Sequence, residues 1–372
     1  MRSPACATSS GNCETKTVRV LVAMSGGVDS SVAAALVADA FGTDDVVGAT
    51  LKLWGGASDS GCCSVADVED ARRVADQLGI THHVFNFSAT FEERVVAPYV
   101  EGHAGGRTPN PCIECNRHVK FDRLLERARV LGFDEVATGH HARRVTTPDR
   151  RHHLRRGADP LKDQSYVLSM LGQAELAVSR FPVGTLTKEE VRVEARRLGL
   201  RTADKPDSQD VCFIRSDEGR AGFLGARLPL HPGRLVDQAT GHDLGPVEAV
   251  ELVTVGQRRG MGHGSDGRRR YVTAVDVPTR RVLVGTPEAA DAPTVDLQSV
   301  TWVDGPVADG GRAVAQYSAH GRPAGCIVRV DRGCATMSVT FDVPQRRIAP
   351  GQTVALYDPD DPDRVVGSGI AR

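Results

Sequence analysis

The chain has 372 residues, 40% of them apolar and 25% charged, which exceeds one small core and describes an ordinary soluble protein of two or three domains. Its 46 Lys and Arg against 47 Asp and Glu leave a net charge of −1, so charge alone does not announce a nucleic-acid binder, although balanced totals can hide one basic face. No apolar run of about 18 residues occurs, and the opening segment lacks the apolar centre of a secretion signal, so a cytoplasmic protein with no membrane partner is expected.

In chain order, residues 1–17 are polar and rich in Ser and Thr and read as a disordered leader. Strand-like and helix-like runs then alternate: the strand Val18 to Ala23, the helix Val32 to Phe41, a strand over Asp45 to Leu53, an amphipathic helix over Val65 to Leu78, and a strand over His82 to Phe87. Lys120 to Leu131 reads as a helix stopped by Gly132, Glu135 to Thr138 as a further strand, and Thr187 to Leu198 as a helix with Thr187 and Glu190 as its capping box. This alternation predicts an α/β domain over 18–216 with a doubly wound, mostly parallel sheet, whose ligands sit at the carboxyl ends of its strands. Further on, short β-branched runs broken by Gly and Pro predict a central β-rich domain over 217–287 and a β-barrel-like domain over 288–372, with strands near 299–303, 325–330, 335–341 and 353–357 and a last one near Val365. Asp358 to Asp363 is an acidic turn-rich loop. The basic pairs Arg143-Arg144, Arg150-Arg151, Arg155-Arg156, Arg258-Arg259 and Arg346-Arg347, and the triplet Arg268 to Arg270, each read as solvated surface.

Two stretches carry chemistry. The first is Ser25-Gly26-Gly27-Val28-Asp29-Ser30-Ser31, between the first strand and the first helix. Glycines there let a backbone approach a ligand, and hydroxyls and amides gather at the positive end of a helix dipole, which makes an oxyanion nest. Neither GxxxxGK[ST] nor GxGxxG is satisfied. The loop resembles the SGGxDS loop of the ATP pyrophosphatases, which implies ATP cleavage between the α and β phosphates with Asp29 helping to hold Mg²⁺; the plain alternative is a turn whose Ser or Asp caps a helix. The second stretch is Thr108-Pro109-Asn110-Pro111-Cys112-Ile113-Glu114-Cys115-Asn116, where two prolines fix an extended approach and the following helix is expected to place Cys115 near its amino end, where the dipole activates a thiol.

The cysteines number nine, an odd count without an export signal, which argues against a disulfide framework. A structural zinc site needs four ligands and no second CxxC is present, whereas a redox CxxC stays open. Cys212 follows Lys205-Pro206-Asp207-Ser208-Gln209-Asp210-Val211 and precedes Phe213-Ile214, so it reads either as a thiol at the lip of a buried segment or as an inert buried one. Cys62, Cys63, Cys326 and Cys334 read as packing residues.

Taken together, AMSGGVDSSVAA, Asp67 to Ile80, TPNPCxxCN with Lys120-Phe121, TGHHAR, Leu161 to Tyr166 (LKDQSY), KPDSQDVCFI, VGQRRGMG and APGQTVALYD resemble the tRNA-specific 2-thiouridylases, from Val18 to the last strand. The resemblance implies ATP-dependent sulfur transfer to carbon 2 of the wobble uridine of tRNA. It implies that Ala23, Met24, Ser25, Gly26, Gly27, Val28, Asp29 and Ser30, with Leu51 and Gly139, surround ATP. Cys115 is implied as the catalytic cysteine and Cys212 as the persulfide carrier, which can pair with Cys115 in a transient disulfide. Asn110, Pro111 and Cys112 would border the target base, and His140, Lys162, Asp163, Gln164 and Gln352 would meet the tRNA. A persulfide donor, a cysteine desulfurase or relay protein, is the implied partner. Many relatives carry Asp where this chain has Cys112, which keeps a second route open, a 4Fe-4S cluster on Cys112, Cys115 and Cys212. An adenylating ligase or amidotransferase would share the loop but would not need the cysteines, and a nucleic-acid-binding protein with a structural metal would have no use for Asp29.

Overall fold

A computed structural model describes residues 17–54, 64–207, 211–215, 217–331, 333 and 335–372. The expected leader apart from Thr17, the expected packing residues Cys62, Cys63 and Cys334, and Ser208 to Asp210 lie outside the described residues.

The first sheet is built from β1 (Val20–Ala23), β2 (Val46–Lys52), β3 (Thr81–Asn86) and β4 (Glu135–Thr138); a hairpin of β5 (Ala142–Thr146) and β6 (His152–Arg156) follows, then the short β7 (Ser179–Arg180). Its order is β3-β2-β1-β4-β7, all parallel. Successive residues of β1 face opposite layers, as the pleat requires: Val20 and Val22 enter one core cluster and Leu21 the other. Helices α1 (Val28–Phe41) and α2 (Val65–Leu78) pack on the Val20 and Val22 face. The other face is covered by α3 (Ala97–Ala104), by α4 (Pro111–Cys115), which runs on through a π-helical stretch over Asn116–Arg123, and by α5 (Leu124–Val130). The last helix of this part, α6 (Lys188–Arg197), returns to the first face and starts from the expected box, in which Thr187 accepts from the Glu190 amide. The chain moves outward from β1 through β2 to β3 and then restarts on the opposite side with β4, so the topological switch lies between the carboxyl ends of β1 and β4.

The central module is a four-stranded sheet of β8 (Gly233–Asp237), β9 (Asp243–Val247), β10 (Tyr271–Asp276) and β11 (Arg281–Gly285), ordered β10-β11-β8-β9. The last module comprises β12 (Asp291–Trp302), β13 (Gly311–Gln316), β14 (Ala324–Val330), β15 (Thr336–Arg346), β16 (Thr353–Tyr357) and β17 (Arg364–Ala371). It closes because β17 pairs with β16 on one side and with β12 on the other. The α/β layering and the two β-rich modules agree with the expected fold class.

Three expectations needed correction. Strand β13 and the hairpin β5–β6 were not foreseen, and the hairpin continues the sheet of the last module: Leu154 pairs with Val365 and Arg155 with Arg364. Of the basic pairs around this hairpin, Arg143-Arg144 and Arg155-Arg156 are half-buried rather than solvated, while Arg150-Arg151 is exposed as expected. Arg143 bonds Asp363 at 2.8 Å, Arg155 bonds Asp361 at 2.8 Å, Arg156 bonds Asp163 at 2.7 Å, and Arg151 pairs with Asp304, so much of the acidic 358–363 loop is spent on this hairpin. Arg270 of the basic triplet is 5% exposed and faces Asp237, itself 5% exposed, at 2.8 Å in the central module. Removing the guanidinium strands a buried carboxylate that retains only the Ala239 and Thr240 amides, so Arg270→Ala should cost roughly 3 kcal/mol. Urea unfolding of the variant should show a lower midpoint with an unchanged slope for the transition of this module.

Candidate active site

β1 ends at Ala23, and the chain turns into α1 through Met24 to Gly27. The Met24 amide donates to Ala49 O at 2.8 Å, which fixes the loop to the end of β2. Gly26 takes φ +73°, and a Cβ there would lie 2.2 Å from the Asp67 carbonyl oxygen. Gly139, just past β4, would place a Cβ 2.6 Å from the Ser30 nitrogen. Two backbones therefore meet at the switch point with room for hydrogen atoms only. Gly27 caps α1 without a side-chain bond, leaving its first amides to a ligand or water. The hydroxyls do not point into the nest as expected. Ser30 and Ser31 donate to Gly27 O at 3.0 and 2.8 Å, and the Ser25 amide donates to Ser30 Oγ at 3.1 Å, so these side chains brace the loop.

Asp29, in the first turn of α1, is the electrostatic centre. His141 Nε2 donates to its Oδ1 at 3.0 Å, and Lys188 Nζ donates to Oδ1 and Oδ2 at 2.8 and 2.7 Å. Burial opposes its ionisation, yet the hydrogen bonds and charges of His141 and Lys188 hold the carboxyl below its ordinary value. Lys188 also lies 2.9 Å from Asp207, which accepts from Lys162 at 2.7 Å and from Arg192 at 2.9 Å. On the other flank Lys205 donates to Gly26 O, Asp67 and Asp70 at 2.9, 2.6 and 2.8 Å. Lys188, Lys205, Asp207 and His141 were not singled out from sequence. The signal that points to them is indirect: a loop with a carboxylate and no lysine of its own needs a cation from elsewhere.

The cysteine segment is held from two sides. Asn110 Oδ1 accepts from the Cys112 and Ile113 amides at 3.1 and 3.3 Å, capping α4. Thr108 donates its amide to Pro350 O at 2.7 Å, and Gln352 Nε2 donates to Thr108 O, so the last module clamps this segment. Pro111 and Cys115 are buried, while Cys112 is half-buried. The helix begins at Pro111, so Cys112 occupies the first turn where the dipole acts, and Cys115 sits a turn deeper than expected. Cys115 belongs to the same apolar cluster as Leu51, and Ala23 and Cys212 pack against it. Tyr99 stacks edge-on against Phe213, the neighbour of Cys212, at 5.6 Å. Among the described residues, no three His, Cys, Asp or Glu side chains stand together as a metal-holding group, the trio Cys112, Cys115 and Cys212 included. Cys326 packs in the last module, where burial pushes its thiol up to about 11.

The remaining residues fall into two kinds. Lys162 is well exposed, whereas Asp163 caps a turn through the Gly157 and Ser165 amides, at 3.0 Å each, and is tied to Arg156. Gln164 accepts from the His141 amide at 2.9 Å. His140 is buried against Phe121 and Phe181, and burial holds its ring well below the ordinary histidine pKa.

Residues 18–216 match the family model described as the tRNA methyl transferase HUP domain, 221–286 the tRNA methyl transferase PRC-barrel domain, and 294–371 the aminomethyltransferase beta-barrel domain. A protein named tRNA-specific 2-thiouridylase MnmA from Mycobacteroides abscessus is 45% identical over 365 residues, which span 95% of this chain and 99% of that one. The chain belongs to the tRNA-specific 2-thiouridylase (MnmA) family. Other 2-thiouridylases of the same name, from Mycolicibacterium gilvum and Rhodococcus erythropolis, are 46% and 43% identical, each over 95% of this chain and over 99% and 97% of their own. No helix among the described residues of this 2-thiouridylase family member is long and apolar enough to cross a membrane.

The charge network makes stability depend on pH. Burial works against the Asp207 carboxylate, but bonds from Lys162 and Lys188 bring it down to about 2. A depressed folded pKa stabilises above the ordinary carboxyl value near 3.9 and is lost as pH falls through the folded value. The stability gap between wild type and Asp207→Asn should therefore be widest near neutrality and shrink from about pH 4 to about pH 2. Solvent screening at a side chain 34% exposed keeps the gap small. Urea titrations across that window test it.

Proposed function

We propose that this protein is an ATP-dependent tRNA 2-thiouridylase that adenylates carbon 2 of the wobble uridine through its oxygen and then replaces that oxygen with sulfur carried on Cys212. The observation that carries the reading is the side-chain-free crossing of Gly139 and the first turn of α1 at the switch point, on a domain whose large core on one face of the sheet includes Leu51 and Cys115 and takes Ala23 and Cys212 against it. Sulfur, rather than the methyl group named in the family-model descriptions, suits a site that pairs an anion nest with two cysteines.

The uridine C2 oxygen is a poor leaving group, so joining it to AMP is the activating step. The first-turn amides of α1 and the glycine turn hold phosphate oxygens, and the crossing of Gly139 and Ser30 sets their position. Asp29, the carboxylate in the first turn of α1, would hold Mg²⁺, and the ion would supply charge neutralisation there. The terminal sulfur of a Cys212 persulfide then bonds to C2, and AMP leaves with the C2 oxygen. Cys115 attacks the Cys212 sulfur, which frees the 2-thiouridine and leaves a Cys115–Cys212 disulfide that an external dithiol reduces. A cysteine desulfurase or a relay protein reloads Cys212. The persulfide route needs only Cys115 and Cys212, and no step is assigned to a 4Fe-4S cluster.

The target base must leave its stack to reach the clamp formed by Asn110, Pro111 and Cys112. Lys162 offers charge to the tRNA backbone, while Asp163, Gln164, His140 and Gln352 shape the loops around it. The substrate pool places the enzyme in the cytoplasm.

Mixing the protein with ATP, tRNA and a persulfide donor should release pyrophosphate only when tRNA is present and yield tRNA in which one oxygen is exchanged for sulfur by mass. Asp29→Asn should lose pyrophosphate release while keeping tRNA affinity. Cys115→Ser and Cys212→Ser should each lose thiolation and keep tRNA-dependent pyrophosphate release. Thiolation by the Cys212 variant, with the donor present, would remove its role as sulfur carrier.

A further inference from the structure

Lys188 opens α6 directly behind the Thr187 cap, and helix geometry aims it across the switch point at the nest. Its side chain is 12% exposed, and its ammonium is divided between both oxygens of Asp29 and Oδ1 of Asp207. The loop Ser25 to Ser31 has no lysine of its own, unlike the phosphate loops that end in GK[ST]. Two lysines approach it from outside, and they differ in how they are held. Lys205 has one partner for each of its three hydrogens: Gly26 O, Asp67 and Asp70. Lys188 instead bridges two carboxylates that each keep another donor, His141 for Asp29, and Lys162 and Arg192 for Asp207. Turning Lys188 toward a new anion leaves neither carboxylate bare. Little is lost by that move, and an ammonium shared between two acids gains most from a third anion of higher charge.

Resting on the reading of this loop as the place where ATP is cleaved, we propose that Lys188 is the cation facing the β-phosphate, and that it neutralises pyrophosphate as it departs. In that step the uridine C2 oxygen bonds to the α-phosphorus and the bond from that phosphorus to the bridging oxygen breaks. The electron pair goes to pyrophosphate, and the proton on uracil N3 passes to solvent. Lys188 acts by its charge and takes no part in proton transfer, so it stabilises charge that exists only as the bond breaks, and its loss falls on turnover more than on uridine binding.

The test compares the full-length wild type, Lys188→Ala and Lys188→Arg in tRNA-dependent pyrophosphate release and in calorimetric binding of AMP and of ATP. Lys188→Ala should lose roughly 10²- to 10³-fold in kcat, the usual effect of deleting one charge-stabilising donor. It should bind ATP at least tenfold more weakly yet bind AMP within about twofold of wild type, because AMP lacks the phosphates that the ammonium faces. Lys188→Arg should recover most of the turnover. A residue that only props α6 against the loop would weaken AMP and ATP alike, and that pattern, or turnover of Lys188→Ala within threefold of wild type, overturns the assignment. Should Lys188→Ala melt early because two acids now face one another, the double variant Lys188→Ala with Asp207→Asn restores the charge balance and is put through the same comparison of AMP with ATP. Wild-type protein that releases no pyrophosphate with tRNA would instead remove the functional reading itself, an outcome visible before any variant is made.

Discussion

Everything in the active region hangs on one steric fact: where the end of β4 passes the first turn of α1, no side chain fits. A methyl group on Gly139 would drive into the Ser30 amide, and one on Gly26 into the Asp67 carbonyl. Close approach of two backbones puts helix amides at the surface of the crevice, and the serine hydroxyls are spent on keeping them there. The cations must then come from other segments, and they do: Lys188 from α6 and Lys205 from the stretch leading to Cys212. The glycine loop and the stretch leading to Cys212 are thereby joined on a length scale of single hydrogen bonds.

The same economy governs the join between modules. Arginines that look like surface charge reach the 358–363 loop or its neighbours, and Arg156 lies flat over Tyr357 at 3.9 Å. Tyr166, next to the loop that carries Lys162, donates to Thr353 O at 3.0 Å, while Thr108 is gripped by Pro350 and Gln352. The two segments assigned to the tRNA and to the target base are therefore both fastened to the last module. Their spacing is set by a barrel, which is stiffer than a loop.

Much of this was legible from residue patterns. The strand and helix alternation, the Ser-Gly-Gly turn, the Thr187 box and the helix over 65–78 appear where propensity, capping and periodicity place them, because each is decided within a dozen neighbouring residues. What local pattern could not reveal depends on partners far along the chain. Hairpin β5–β6 reads Ala-Arg-Arg-Val-Thr and His-His-Leu-Arg-Arg, a polar alternation suited to water, and becomes strand only because β17 pairs with it and aspartates meet its arginines. Helix α4 starts earlier than its apolar pattern suggests because Asn110 caps it and Pro111 suits its first position. Lys188 falls in the first turn of the expected helix, and only the fold shows it buried beside Asp29.

The pairing of Leu154 with Val365 also has a meaning for how the chain is made. Translation delivers β6 long before β17, so the nascent first module carries an open strand edge while the central module and most of the barrel are still to be synthesised. The arginines along that edge act in the meantime as gatekeepers, since like charges discourage β6 from pairing with another ribosome's product. Completion of β17 covers that edge and ties β6 into the barrel in the same event.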